Sequence, residues 1–177
     1  MKLENILVQK NGYLKVSDFG CSLKTEGMRH YDSRGTLLYM APEMIERRGG
    51  YSYSVDWWAL GIITYVLLFV ENPFVGKDLE INDETLRQNI MHGCFIFDSS
   101  NKVSDNCKNF ISGLLKKEEQ RLGFKEGASE VLDHPWLKDK DLSHQKILNK
   151  EIKSPYKFAV PSNSKNSEYY DQECLLK

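Results

Sequence analysis

Residues 1–20 read MKLENILVQKNGYLKVSDFG. Ile6-Leu7-Val8 and Tyr13-Leu14-Lys15-Val16 are short apolar runs of strand type. Asn11-Gly12 between them tolerates the positive backbone angles of a tight hairpin turn. Such a hairpin brings the residue before its first strand close to the residue after its second. Asn5 and Asp18 stand at those two places, thirteen residues apart. An amide oxygen and a carboxylate are hard ligands that suit Mg2+ rather than zinc. Lys2, three residues before Asn5, adds a positive charge at the same end. A cation beside a metal suits a transferring phosphoryl group. Taken alone, Asp18-Phe19-Gly20 has a plainer reading, a strand-ending turn with a buried Phe, and the tripeptide by itself leaves both open.

Beyond the hairpin the pattern turns helical. Residues 17–34 are polar and mixed, with Gly20 and Gly27, and read as a loop. Ala41-Pro42-Glu43-Met44-Ile45 starts a short helix with Pro in its first turn. Ser54 is placed to cap the next helix. Residues 56–69 are apolar nearly all round, which predicts a central, buried helix stopped by Asn72-Pro73. Amphipathic spacing predicts helices over 83–92, closed by Gly93, and over 105–117, with Phe110, Leu114 and Leu115 on one face. A short helix over 128–132 ends at His134-Pro135. From Leu142 apolar residues thin out, and 150–177 reads as an extended tail. The expected fold is mainly α with a small β-hairpin.

The chain has 177 residues, 41% hydrophobic and 28% charged, the profile of one domain with a real core. Its net charge of −1 favours neither nucleic acid nor an anionic membrane as a partner. The longest apolar run, 59–70, falls short of the ~20 residues that span a bilayer. No basic patch followed by an apolar block marks a signal peptide. Cys21, Cys94, Cys107 and Cys174 fit no metal spacing and are expected as reduced thiols. An intracellular, cytoplasmic protein is expected, with the nucleus left open.

KLENILV, GYLKVSDFG, GTLLYMAPE, SVDWWALG, RLG and HPW occur in this order across residues 1 to about 137. Together they resemble the C-terminal, helical lobe of a eukaryotic protein kinase. In that family a loop of the form H-R-D-x-K-x-x-N is followed by D-F-G, an activation segment and A-P-E. The run DWWALG, Arg121-Leu122-Gly123 and a tail starting near Pro155 resemble the AGC group, with the cyclic-nucleotide-dependent kinases the most similar subgroup. The resemblance implies a kinase-like helical lobe over 1–140 without the β-rich N-terminal lobe. It also implies an AGC-type tail over 141–177, and ATP and Mg2+ as cofactors.

By the same resemblance Lys2 is the catalytic-loop lysine that contacts the transferred phosphoryl group. Asn5 and Asp18 are metal ligands, Asp18 the main one. Lys2, Glu4, Asn5 and Asp18 form the cofactor end of the site, and Phe19 and Gly20 complete the D-F-G. Glu4 also matches an acid that contacts substrate arginines, the basis for expecting a protein substrate with a basic motif. Val66 stands where a second such acid belongs. Lys2 and Thr36 imply serine/threonine specificity, with Thr36 bridging the catalytic lysine and aspartate. Glu43 is expected to pair with Arg121. Asp56 is expected to accept hydrogen bonds from the catalytic-loop backbone, or in the plainer reading to cap its helix. Trp57, Trp58 and Trp136 are expected in the core, and Cys21 as a filler.

The family places its catalytic aspartate two residues before the lysine, and here Lys2 is preceded only by Met1. The sequence contains neither H-R-D nor G-x-G-x-x-G. A chain cut within the catalytic domain is therefore expected, without turnover of its own, and with a missing N-lobe or a regulatory subunit as partner. Asp32 holds the place of the phosphorylatable threonine, and Ser33 is an alternative phosphosite. Ser33, Leu37 and Met40 match the pocket for the residue after the target. The competing reading is a non-catalytic, kinase-derived binding or scaffold module. Retained Lys2, Asn5, Asp18 and Thr36 favour descent from an active enzyme.

Overall fold

The computed structural model describes residues 1–9, 11–32, 34–76, 80–98, 102–138 and 144–154. Its described residues divide into two units, residues 2–20 with 144–154, and residue 1 with those between 21 and 138. The smaller unit is built on the expected hairpin. β1 (Ile6–Val8) and β2 (Leu14–Val16) pair antiparallel, with Ile6 opposite Val16 and Val8 opposite Leu14. Gly12 takes φ 81°, its N–H donating to the Gln9 carbonyl at 2.7 Å, and the Asn11 side chain accepts from Tyr13 N–H at 3.2 Å. These bonds close the Asn-Gly turn. The Tyr13 hydroxyl donates to the Ile152 carbonyl at 2.8 Å, tying the hairpin to the segment that follows a short helix, His144–Leu148. The tail expected from Pro155 onward lies outside the described residues.

The larger unit is helical: α1 (Pro42–Glu46), α2 (Ser54–Phe69), α3 (Asp83–His92), α4 (Asp105–Leu114), α5 (Ala128–Leu132) and α6 (Pro135–Lys138). His144–Leu148 is α7. α2 is the central helix, burying Trp58, Ala59, Ile62, Ile63, Tyr65 and Phe69. Its backbone lies close to the end of α4 because residue 61 has no side chain. A Cβ at Gly61 would stand 2.8 Å from Leu115 and 2.9 Å from Leu114. Leu86 and Ile90 of α3 and Ile111 of α4 complete this core, and Phe110, Leu114 and Val131 form a second cluster against Trp57 and Trp136. The molecule is thus mainly helical, with one two-stranded sheet among the described residues.

Three local expectations are corrected. Ser54 is the first residue of α2 rather than its cap. Tyr53 precedes it without a side-chain cap bond, and the Ser54 hydroxyl instead donates to Glu118 at 2.8 Å. α4 ends at Leu114, three residues before 117. The carbonyls around that end are taken by donors from the chain that follows: Gly113 accepts from Leu122 N–H at 2.9 Å, and Lys116 accepts twice from Arg121. The last turn of α2 is not buried all round, since Leu67 and Leu68 are exposed.

Candidate active site

Asn5 and Asp18 are brought together by the hairpin ladder continuing one pair past its strands. The Asn5 carbonyl accepts from both the Ser17 N–H (2.8 Å) and the Ser17 hydroxyl (3.0 Å). The chain then turns sharply: Asp18 has φ 58°, the left-handed region that Asp tolerates better than most residues. That turn aims the carboxylate back across the hairpin, where Asn5 Nδ2 donates to Asp18 Oδ2 at 3.3 Å. The other carboxylate oxygen accepts from Gly20 N–H at 3.2 Å. A Cβ at Gly20 would stand 3.2 Å from that same oxygen, so the absent side chain leaves room for the carboxylate. Ser17 was given no role in the sequence reading. Its signal is its place directly opposite Asn5 once the register is counted.

The donor chemistry of this pair fits a hard divalent cation. The two side-chain heads are in contact through the Asn5 NH2, and a turn of that amide about its own axis would present its oxygen beside the carboxylate. Mg2+ is typically held by few protein ligands, its other positions taken by phosphate and water. Among the described residues no cluster of three or more His, Cys, Asp or Glu forms a zinc-type site. Lys2 and Glu4 belong to the same short turn as Asn5, whose N–H donates to the Lys2 carbonyl at 3.1 Å. Glu4 is exposed and Lys2 half-buried. Phe19 is 69% exposed, against the buried Phe of the plainer reading.

The remaining candidates lie in the larger unit. Thr36 is exposed and precedes a single turn, Leu37–Tyr39, its carbonyl accepting from Tyr39 N–H at 3.0 Å. Met40 is buried and Leu37 half-buried, and Ser33 lies outside the described residues. Asp32, exposed, faces Arg34 at 3.6 Å. Glu43 and Arg121 form a two-pronged ion pair, Nη1 to Oε1 at 2.6 Å and Nη2 to Oε2 at 2.9 Å. The Arg121 side chain is fully buried and lies over the Trp58 ring at 5.3 Å. Its remaining donors reach the carbonyls of Ser54 and Lys116, so the buried charge is fully satisfied. Asp56 sits inside the first turn of α2, with Oδ1 3.6 Å from the Met1 amino group. Cys21 is exposed and so fills no core space, contrary to the expectation.

The chain belongs to the protein kinase domain family, whose model matches residues 1–137. Flippase kinase 1 of Saccharomyces cerevisiae is 36% identical over 162 residues, covering 78% of this chain and 18% of that protein. Serine/threonine-protein kinase sgk-1 of Caenorhabditis elegans is 34% identical over 160 residues, with 88% and 32% covered. Ribosomal protein S6 kinase 2 alpha of Gallus gallus is 35% identical over 179 residues, with 98% and 22% covered. The chain thus spans 18% to 32% of the length of these relatives. Among the described residues, the mainly helical architecture with one hairpin is consistent with a kinase-like helical lobe.

Proposed function

We propose that these residues are the phosphate-facing helical part of a serine/threonine protein kinase of the AGC group. The observation that carries the proposal is the Asn5–Asp18 contact at the end of the hairpin. Asn5 and Asp18 would hold Mg2+, which when bound neutralises charge on the nucleotide phosphates. The protein's own contribution is positional. Ser17 fixes the Asn5 backbone, the left-handed turn at Asp18 aims its carboxylate, and Gly20 leaves that carboxylate room. Lys2 supplies a positive charge for the transferred group, and Thr36 takes the family's serine/threonine-specific bridging role. Glu43 and Arg121 hold the segment that precedes α1 to the helical core. Substrates are proteins, with Glu4 favouring arginine near the target. Residues 1–140 act as the catalytic lobe fragment and 141–177 as an AGC-type tail. The AGC placement draws support from relatives named as an S6 kinase and a flippase kinase, at 35% and 36% identity.

Within these 177 residues no H-R-D supplies a general base and no glycine-rich loop covers the phosphates. The isolated chain is therefore proposed to be inactive. Radiolabelled transfer from ATP tests this directly. The 177-residue chain gives no labelled peptide. A chimaera placing a relative's glycine-rich lobe and H-R-D segment ahead of Lys2 transfers phosphate, and Asp18→Ala abolishes that transfer. Transfer by the chimaera that survives Asp18→Ala rules out the assigned site.

A further inference from the structure

Residues 28–31 belong to the segment that leads to Thr36, and they are anchored at one place. His30 and Tyr51 exchange backbone hydrogen bonds of 2.9 and 2.8 Å as an isolated antiparallel bridge. Beside it Arg29 directs Nε to the Gly49 carbonyl and Nη2 to the Gly50 carbonyl, each at 2.6 Å. Gly50 has φ 67°, and a Cβ there would stand 2.8 Å from the His30 carbonyl, so only glycine allows this approach. Arg29 Nη2 also meets Glu118 Oε2 at 2.5 Å.

Glu118 is the centre of the anchor. Its side chain is only 10% exposed, and its second oxygen accepts from Ser54 at 2.8 Å and Ser52 at 3.2 Å. Burial alone raises its pKa. The hydrogen bonds from Arg29 and Ser54 and the Arg29 charge outweigh that and hold it below the usual carboxylate value. Ser54 is fully buried and faces two ways. Its hydroxyl donates to Glu118, while its carbonyl accepts from Arg121 Nη1 at 2.9 Å. Arg121 is in turn clamped on Glu43. Two ion pairs, Arg29–Glu118 and Glu43–Arg121, therefore meet at one serine.

We infer that Ser54 relays between these two pairs, so that the order of residues 28–31 and the seating of α1 rise and fall together. The coupling makes Arg29, Ser54 and Glu118 positioning residues for the Thr36 segment. That consequence rests on the kinase reading, whereas the coupling itself does not. A charge placed at the solvent edge, on Arg29, is felt at a helix to which Arg29 makes no hydrogen bond.

Backbone hydrogen exchange of the full 177-residue chain tests the relay. Arg29→Met leaves Glu118 held by Ser52 and Ser54, and the variant is first checked to be folded by an unchanged far-ultraviolet circular dichroism spectrum. The substitution is expected to speed exchange at His30 and Tyr51 about tenfold and at Met44 of α1 and Arg47 at its end by a smaller factor, with Leu115 unchanged. In a Ser54→Ala background, Arg29→Met no longer affects Met44 and Arg47. Three results would each overturn the relay: no change at α1 in Arg29→Met, an α1 change that persists without the Ser54 hydroxyl, or an equal change at Leu115. Phosphoryl transfer and metal binding are not read in this experiment, so its failure is distinct from failure of the proposed function.

Discussion

At Val70 the chain leaves α2 with φ 63°, a left-handed turn that costs a β-branched residue ~1–2 kcal/mol. The side chain is 84% exposed and contributes little packing in return. Val70→Gly is expected to raise stability by about 0.5–1 kcal/mol, read as a higher urea midpoint with an unchanged slope. His134 behaves oppositely to a surface histidine. Its Nδ1 accepts from Trp136 N–H at 3.2 Å and its Nε2 contacts Asn109 Oδ1 at 3.0 Å, so the neutral ring fits this place. Burial lowers its pKa from the ordinary 6.5. The neutral form's contribution is complete above pH 6.5 and is lost as pH falls below it. Thermal unfolding measured from pH 7.5 to 5 should show that loss, and His134→Gln should flatten it.

At the level of elements, α1 and α2 depend on pairings distant in sequence. Glu43 and Arg121 are 78 residues apart, and the pair is buried and fully hydrogen-bonded. Glu43→Gln leaves a buried guanidinium without its counter-charge and is expected to cost ~3–5 kcal/mol in chemical unfolding. Gly61→Ala drives a methyl into Leu114 and Leu115 and is expected to cost about 1–3 kcal/mol. α2, α3 and α4 were legible from periodicity, α3 to both ends with Gly93 closing it at φ 66°, while its cap Asn82 and the short helices α6 and α7 were not anticipated. The end of α4 was not legible, because Arg121 and Leu122, which claim carbonyls around that end, come from the chain that follows rather than from the helix's own pattern. Ser54 misled for the same reason. A serine ahead of an apolar run fits a cap, and only the fold brings Glu118 to its hydroxyl.

For the molecule as a whole, the hairpin and the convergence of Asn5 with Asp18 followed from turn chemistry and register, and the structure places the two side chains in contact. The left-handed backbone at Asp18 and the part of Ser17 did not follow, since neither depends on residue type alone. Among the described residues no helix is long and apolar enough to cross a membrane. The central claim is that the open end of the hairpin holds a divalent cation between Asn5 and Asp18, and Mn2+ titration followed by NMR line broadening tests it most directly. The account predicts broadening centred on Asn5, Ser17 and Asp18, and binding weakened at least ~10-fold in both Asn5→Ala and Asp18→Ala. Broadening centred elsewhere, or affinity unchanged in either variant, would contradict it.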